Sequence, residues 1–321
     1  MIFSSKALAR WRHSAGRWAV MAAALSLGLL AACGGGTSQY DPFVPKRLLV
    51  FGDEDSFLDP NGRSYSVNAI GENGVANCNG NPIWVQQLAS TYGFVFAECN
   101  PTFEPDPKAR MLAVPGSKVA DVVAQVEAQV TAGGFRDKDL ATVLAGRNDI
   151  LELYNRFPAL AEDSLIAEAR ARGQRLAQVV NRLVDLGAKV IVSDVPDQGV
   201  TPFARAQSAL VGNSGRAALL SRLTTAFNEQ LGTNVLLDGR FVGLMQSQLR
   251  FQSIDRFPPA FSLNNVTDPV CTAPPPTCTS ATLVTDGVPG AYLWSDDLNL
   301  APGGHAQLAS LAVDRAQRNP F

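Results

Sequence analysis

Short apolar runs separated by helix-length amphipathic stretches constrain this chain more than any other feature. Residues 47–51, 140–144 and 189–193 are apolar without strict alternation, so each reads as a strand shielded on both faces. Helical spacing fills the gaps. Behind Pro82, residues 83–92 place Ile83, Trp84, Leu88 and Tyr92 near one face. Ser117 is expected to cap a helix over 118–131, with Val119, Val122, Val123, Val126 and Val130 on one side and Gly133-Gly134 as its stop. Residues 161–186 continue the pattern up to Gly187, and further helices are expected over 216–231 and 301–317, with a strand at 234–237. Strand alternating with helix predicts an α/β domain: a parallel sheet covered by helices on both sides. Residues 61–81 and 251–289 read as loops, since the latter is rich in Pro, Thr and Asn and too poor in apolar residues for a core of its own.

The N-terminus carries an export signal. Lys6, Arg10, Arg12 and Arg17 precede an apolar stretch over 18–30 that is short for a membrane span, and Leu30-Ala31-Ala32-Cys33 closes it. This ending resembles the lipobox of bacterial lipoproteins, which implies cleavage before Cys33 and lipid attachment to its sulfur; Gly34 beside it implies the outer membrane. An ordinary secretory peptide with a coincidental cysteine is the alternative. The expected divisions are a signal at 1–32, a Gly/Ser/Pro-containing tether at 33–45 and one folded domain at 46–321. With the signal removed, 23 basic residues face 29 acidic ones, a net charge of −6 that excludes nucleic acid as an expected partner. His305 is the one histidine left.

Cys78, Cys99, Cys271 and Cys278 remain in an oxidising compartment, and proximity in sequence pairs Cys78 with Cys99 and Cys271 with Cys278. Neither spacing is that of a zinc motif, and no metal or other cofactor is expected.

Strand ends in such sheets collect catalytic groups. Here they carry Gly52-Asp53-Glu54 and Gly146-Arg147-Asn148-Asp149; Asp296-Asp297-Leu298-Asn299 precedes the last helix. These three blocks, with Pro115-Gly116-Ser117, Val195-Pro196-Asp197 and Gly303-Gly304-His305, resemble in order the blocks of the SGNH, or GDSL, hydrolases. The resemblance implies a three-layer α/β/α fold of the flavodoxin-like type and hydrolysis of esters by a serine nucleophile, a histidine base held by an aspartate, and fixed oxyanion donors. Gly116 and Asn148 match the donors and Asp296 the orienting acid. Glu54 stands at the nucleophile position and Asn299 at the histidine position.

Loss of either serine or histidine costs about a million-fold in a serine protease. A carboxylate beside the donors also repels a developing oxyanion by roughly 4 kcal/mol at 4 Å. The reading is therefore a catalytically inactive relative in the cell envelope, binding an acyl or glycan ligand or serving as an interaction surface. An active ester hydrolase with a rearranged site is the alternative, through a Ser56–His305 dyad or through Glu54 as nucleophile or base helped by Asp53 or Asp296. The two replacements are expected to be coupled, with ionised Glu54 accepting from Asn148 and the Gly116 N–H as a built-in oxyanion mimic, and the Asn299 amide donating where imidazole would accept. Independent drift is the competing account.

Overall fold

The computed structural model describes residues 42–72 and 74–321. The expected signal, Cys33 and the expected tether up to residue 41 lie outside the described residues. Among those described, no helix is long and apolar enough to cross a membrane.

The chain runs β1 (Arg47–Gly52), α1 (Trp84–Thr91), β2 (Ala109–Met111), α2 (Val119–Thr131), β3 (Asp139–Leu144), α3 (Arg147–Asn155) and α4 (Glu162–Asp185). It continues through β4 (Lys189–Ser193), α5 (Pro202–Ala209), α6 (Arg216–Asn234), β5 (Val242–Met245), α7 (Ser247–Arg256), β6 (Asn265–Pro269), β7 (Tyr292–Trp294) and α8 (Pro302–Arg318). Strands β1 to β5 form one parallel sheet in the order β2-β1-β3-β4-β5, the flavodoxin-like order expected.

Strand periodicity sorts the two cores. Leu49 and Phe51 of β1, with Ala141, Val143, Val190 and Val192, face the layer formed by α2, α3, α4 and α6. Leu48 and Val50, with Leu140 and Ile191, face α1, α7 and α8. Every residue of β1 and β3 is buried, which is why these strands read as unbroken apolar runs. Both expected disulfides are present, Cys78–Cys99 and Cys271–Cys278, with Cα atoms 5.8 and 5.9 Å apart.

Four expectations need correction. The strand assigned to 234–237 is absent: α6 runs on to Asn234, Leu236 and Leu237 are exposed, and the fifth strand lies at Val242–Met245, where Gly243 interrupts the apolar run. Ser117 does not cap α2. Its buried hydroxyl accepts from Gln125 Nε2 at 3.0 Å, Lys118 holds the cap position, and the Val119 N–H donates to Asp149 Oδ2 at 2.9 Å. Val123 lies on the exposed side of α2, outside the buried stripe of Val119, Val122 and Val126. Finally, 251–289 is only partly loop, because α7 extends to Arg256 and β6 pairs in parallel with β7.

Candidate functional site

Chain order reverses between β1 and β3, so a crevice opens where their carboxyl ends part. Two glycines let the chain turn there. Gly52 has φ +140°, and a Cβ on it would stand 2.1 Å from the Leu144 carbonyl oxygen. Gly146, at φ +126°, lies against Val195 and the Phe227 ring, both closer than 3 Å to a Cβ built there. Asp53 then turns the chain into a short 3₁₀ segment over Glu54–Ser56, accepting the Asp55 N–H at 3.2 Å. On the other side of the crevice, α3 starts directly after Gly146, so Arg147 and Asn148 project from its first turn.

Glu54, Gly116 and Asn148 meet. Glu54 Oε2 accepts the Gly116 backbone N–H at 2.8 Å and Asn148 Nδ2 at 3.0 Å. Asn148 is steadied by a second bond, from the same Nδ2 to the Ser117 carbonyl at 3.1 Å. The positions matching oxyanion donors therefore both point at one carboxylate oxygen of this chain.

The other oxygen, Glu54 Oε1, is held by Arg147 Nη2 at 2.6 Å, and this residue is what the motifs did not reveal. Arg147 is 3% exposed. Its Nη1 donates to Asp55 at 3.2 Å and to the Leu298 carbonyl at 2.9 Å, while Nη2 also donates to Asn299 Oδ1 at 3.1 Å. A signal existed in the sequence: a carboxylate buried among anion-binding donors needs a cation, and Arg147 adjoins Asn148.

Asn299 is placed differently from expectation. Its Nδ2 donates to Asp296 Oδ2 at 2.8 Å, and its carbonyl oxygen faces Arg147, so the guanidinium bridges Asn299 to Glu54. The physical reason is local: Asp296 also accepts the Leu298 and Asn299 backbone N–H groups, at 2.9 and 2.6 Å, and this tight turn holds the Asn299 side chain against the aspartate. Arg147, with its planar fork of donors, fills the remaining gap.

Electrostatics follow from this geometry. Burial alone would push the Glu54 carboxyl up, but Arg147 and the bonds from Gly116 and Asn148 outweigh it and bring it down to about 2. Asp55 goes the other way, to about 6, because burial dominates and Glu54 and Asp296 add repulsion against the pull of Arg147. Asp53, wholly enclosed and next to ionised Glu54, is raised well above the usual carboxylate range. Arg147 stays charged, its burial outweighed by Asp55, Glu54 and Asp53. Near neutral pH Glu54 is ionised and Asp55, at about 6, largely so, and both pair with the one guanidinium.

Ser56 and His305 do not form a dyad. Both are buried, and Ser56 Oγ and His305 Nδ1 each lack a hydrogen-bond partner among the described residues. Burial, with Arg147 nearby, drives His305 down to about 3, so its imidazole is neutral and enclosed. No group of three His, Cys, Asp or Glu side chains able to hold a metal ion occurs among the described residues. A cleft of about 550 Å³ opens beside the Gly116 loop against α2, lined by Leu112, Val114, Pro115, Gly116, Ala124 and Ala128.

No protein-family profile matches the chain, and no curated protein matches its sequence. Among solved structures it is similar to a member of the lipolytic protein G-D-S-L family from Veillonella parvula DSM 2008, at 13% identity over 84% of this chain and 96% of that one, with a TM-score of 0.43. It is similar also to an acetylxylan esterase from Geobacillus stearothermophilus, at 14% identity, 87% and 98% coverage and a TM-score of 0.41. A third similar structure is the acetyl xylan esterase AlAXEase, at 12% identity, 82% and 96% coverage and a TM-score of 0.40. The likeness is one of fold.

Proposed function

We propose that this chain is a catalytically silent esterase-like lipoprotein of the cell envelope, with a ligand-binding or interaction role at the crevice where hydrolysis would otherwise occur. The observation that carries the reading is the double hydrogen bond from Gly116 N–H and Asn148 Nδ2 to Glu54 Oε2, at 2.8 and 3.0 Å. Donors that would stabilise a developing oxyanion are spent on a resident negative charge, which Arg147 neutralises. Glu54 and not a hydroxyl residue follows Asp53 at the end of β1, and the base position holds an amide whose nitrogen is committed to Asp296.

Two features argue against the alternative, a working ester hydrolase. Glu54, held at about 2, is a poor base and is already bound at both oxygens. Ser56 and His305 are buried without a bond that would activate either. The cleft beside Gly116, walled by Leu112, Val114 and alanines with Ser117, Asp121 and Gln125 among them, suits an acyl chain or a sugar that sets an apolar face on the wall and hydroxyls on the polar groups.

Incubation of the purified protein with a fluorophosphonate probe tests the proposal. The expected result is no labelling at concentrations that saturate a control serine esterase. Stoichiometric labelling mapped to Ser56 or to any serine at the crevice overturns it.

A further inference from the structure

The parallel sheet has a second edge, opposite the crevice, where all five strands begin. A basic residue stands at or just before each start: Lys108 for β2, Lys46 for β1, Lys138 for β3, Lys189 for β4 and Arg240 for β5. Strand register brings them level. Arg47 lies beside Asp139, Leu48 beside Ala109, Leu140 beside Lys189 and Val190 beside Val242, so the five cations fall within about two residues of one line. At ~4.8 Å between strands the row is about 20 Å long.

Arg110 and Arg136 extend this edge, lining with Lys46 and Lys108 a recess of about 320 Å³. Lys138, Arg110 and Arg136 make no ion pair among the described residues. The acidic residues there are committed: Asp139 to buried Arg47, Asp137 to Lys46, Asp106 to Lys108 and Asp238 to Arg240. A basic edge is the exception on a chain whose acidic residues outnumber its basic ones, 29 to 27. Apolar side chains protrude from the same approaches to the strands. Val44 ahead of β1 and Leu236 and Leu237 ahead of β5 are 60%, 46% and 63% exposed.

We propose that this edge is a docking surface for a membrane leaflet bearing anionic phosphate headgroups. The basic row meets the phosphates, and Val44, Leu236 and Leu237 enter the boundary between headgroups and acyl chains. The proposal takes its orientation from the reading of Cys33 as lipidated. The run from Cys33 to Pro42, at ~3.5 Å per residue, spans about 30 Å at most and joins the domain where β1 begins. A lipid anchor and the basic edge thus act on the same end, and the Glu54 crevice faces away from the membrane.

Co-sedimentation of the mature chain, carrying Cys33→Ser to exclude acylation, tests the surface by itself. Vesicles of phosphatidylglycerol mixed with phosphatidylcholine are compared with phosphatidylcholine alone. The expected result is binding to the anionic vesicles only, weakened by salt. Each of Lys46→Ala, Lys108→Ala and Lys138→Ala lowers the partition coefficient about fivefold, and the triple variant about a hundredfold. Val44→Ser with Leu237→Ser weakens binding and leaves its salt dependence intact. All these positions are exposed, and circular dichroism verifies folding. Absence of binding, equal binding to neutral vesicles, or full competition by millimolar glycerol phosphate, which would indicate a small-anion pocket at the Arg110 recess, each overturns the proposal. Labelled palmitate incorporation at Cys33 is read separately, so a failed anchor and a failed surface are told apart.

Discussion

Replacing Glu54 by glutamine keeps the shape of the side chain and removes its charge, which makes it the sharpest perturbation of the crevice. Three donors now converge on that carboxylate, from Gly116, Asn148 and Arg147, and Arg147 is 3% exposed. The shift of the Glu54 carboxyl from 4.5 to about 2 corresponds to about 3 kcal/mol in favour of the charged form. Breaking a buried ion pair from one side costs a similar ~3–5 kcal/mol. Glu54→Gln is therefore expected to lose about 3 kcal/mol of stability at pH 7. The folded and unfolded wild-type proteins both carry protonated Glu54 below about pH 2, so this difference shrinks as pH falls from 4.5 towards 2. Urea denaturation under non-reducing conditions, followed by the fluorescence of buried Trp84 and Trp294, measures it. Arg147→Met closes a double-mutant cycle, for which a coupling above about 1.5 kcal/mol is expected. A Glu54→Gln cost within about 0.5 kcal/mol of zero, the level of a neutral surface change, would refute the ion-pair account and favour independent drift.

Other outcomes follow from the same geometry. Glu54→Ala leaves Gly116, Asn148 and Arg147 facing a gap of carboxylate size, so millimolar acetate is expected to raise the melting temperature of this variant and not of the wild type; equal shifts in both would contradict it. His305, neutral when folded and held at about 3, costs stability as pH falls from 6.5 to 3, while Asp55, raised to about 6, gains a proton in the fold first and opposes this from 6 to 3.8. Relative to the wild type, His305→Gln is thus expected to gain stability progressively as pH falls from 6.5 towards 3, because the variant lacks the group that takes up its proton only on unfolding. An unchanged pH profile in that variant would contradict the assignment. Gly146→Ala forces a Cβ to 2.6 Å from Val195 at φ +126°, and a loss of about 2 kcal/mol or more is expected by denaturation, against near-neutrality if the loop relaxes.

Much of this architecture was legible in the sequence because it rests on burial. Strands enclosed on both faces, β1, β3 and β4, show as apolar runs, and α4 and α8 show as periodic stretches ended by glycine or the chain terminus. β5 was not legible: it is short, holds Gly243, and follows exposed Leu236 and Leu237 that mimic a strand. Motif order placed Glu54, Gly116 and Asn148 in one crevice, because each follows a strand of the same sheet. What motif order does not convey is which side chain balances the charge. Arg147 does so through a fork reaching Glu54, Asp55, Leu298 and Asn299, contacts between segments about a hundred residues or more apart. The Asn299 side chain likewise follows its local turn around Asp296, which its position in the motif does not convey.

Turnover of a short acyl ester by four purified proteins tests the central claim most directly: wild type, Glu54→Ser, Asn299→His, and the double variant. With the Glu54 carboxylate occupying the Gly116 and Asn148 donors and no base at 299, wild type and both single variants are expected to show no hydrolysis above buffer. The double variant places a hydroxyl beside Gly116 and Asn148 and an imidazole beside Asp296, and measurable turnover is expected from it. Wild-type turnover that disappears in Ser56→Ala would contradict the account.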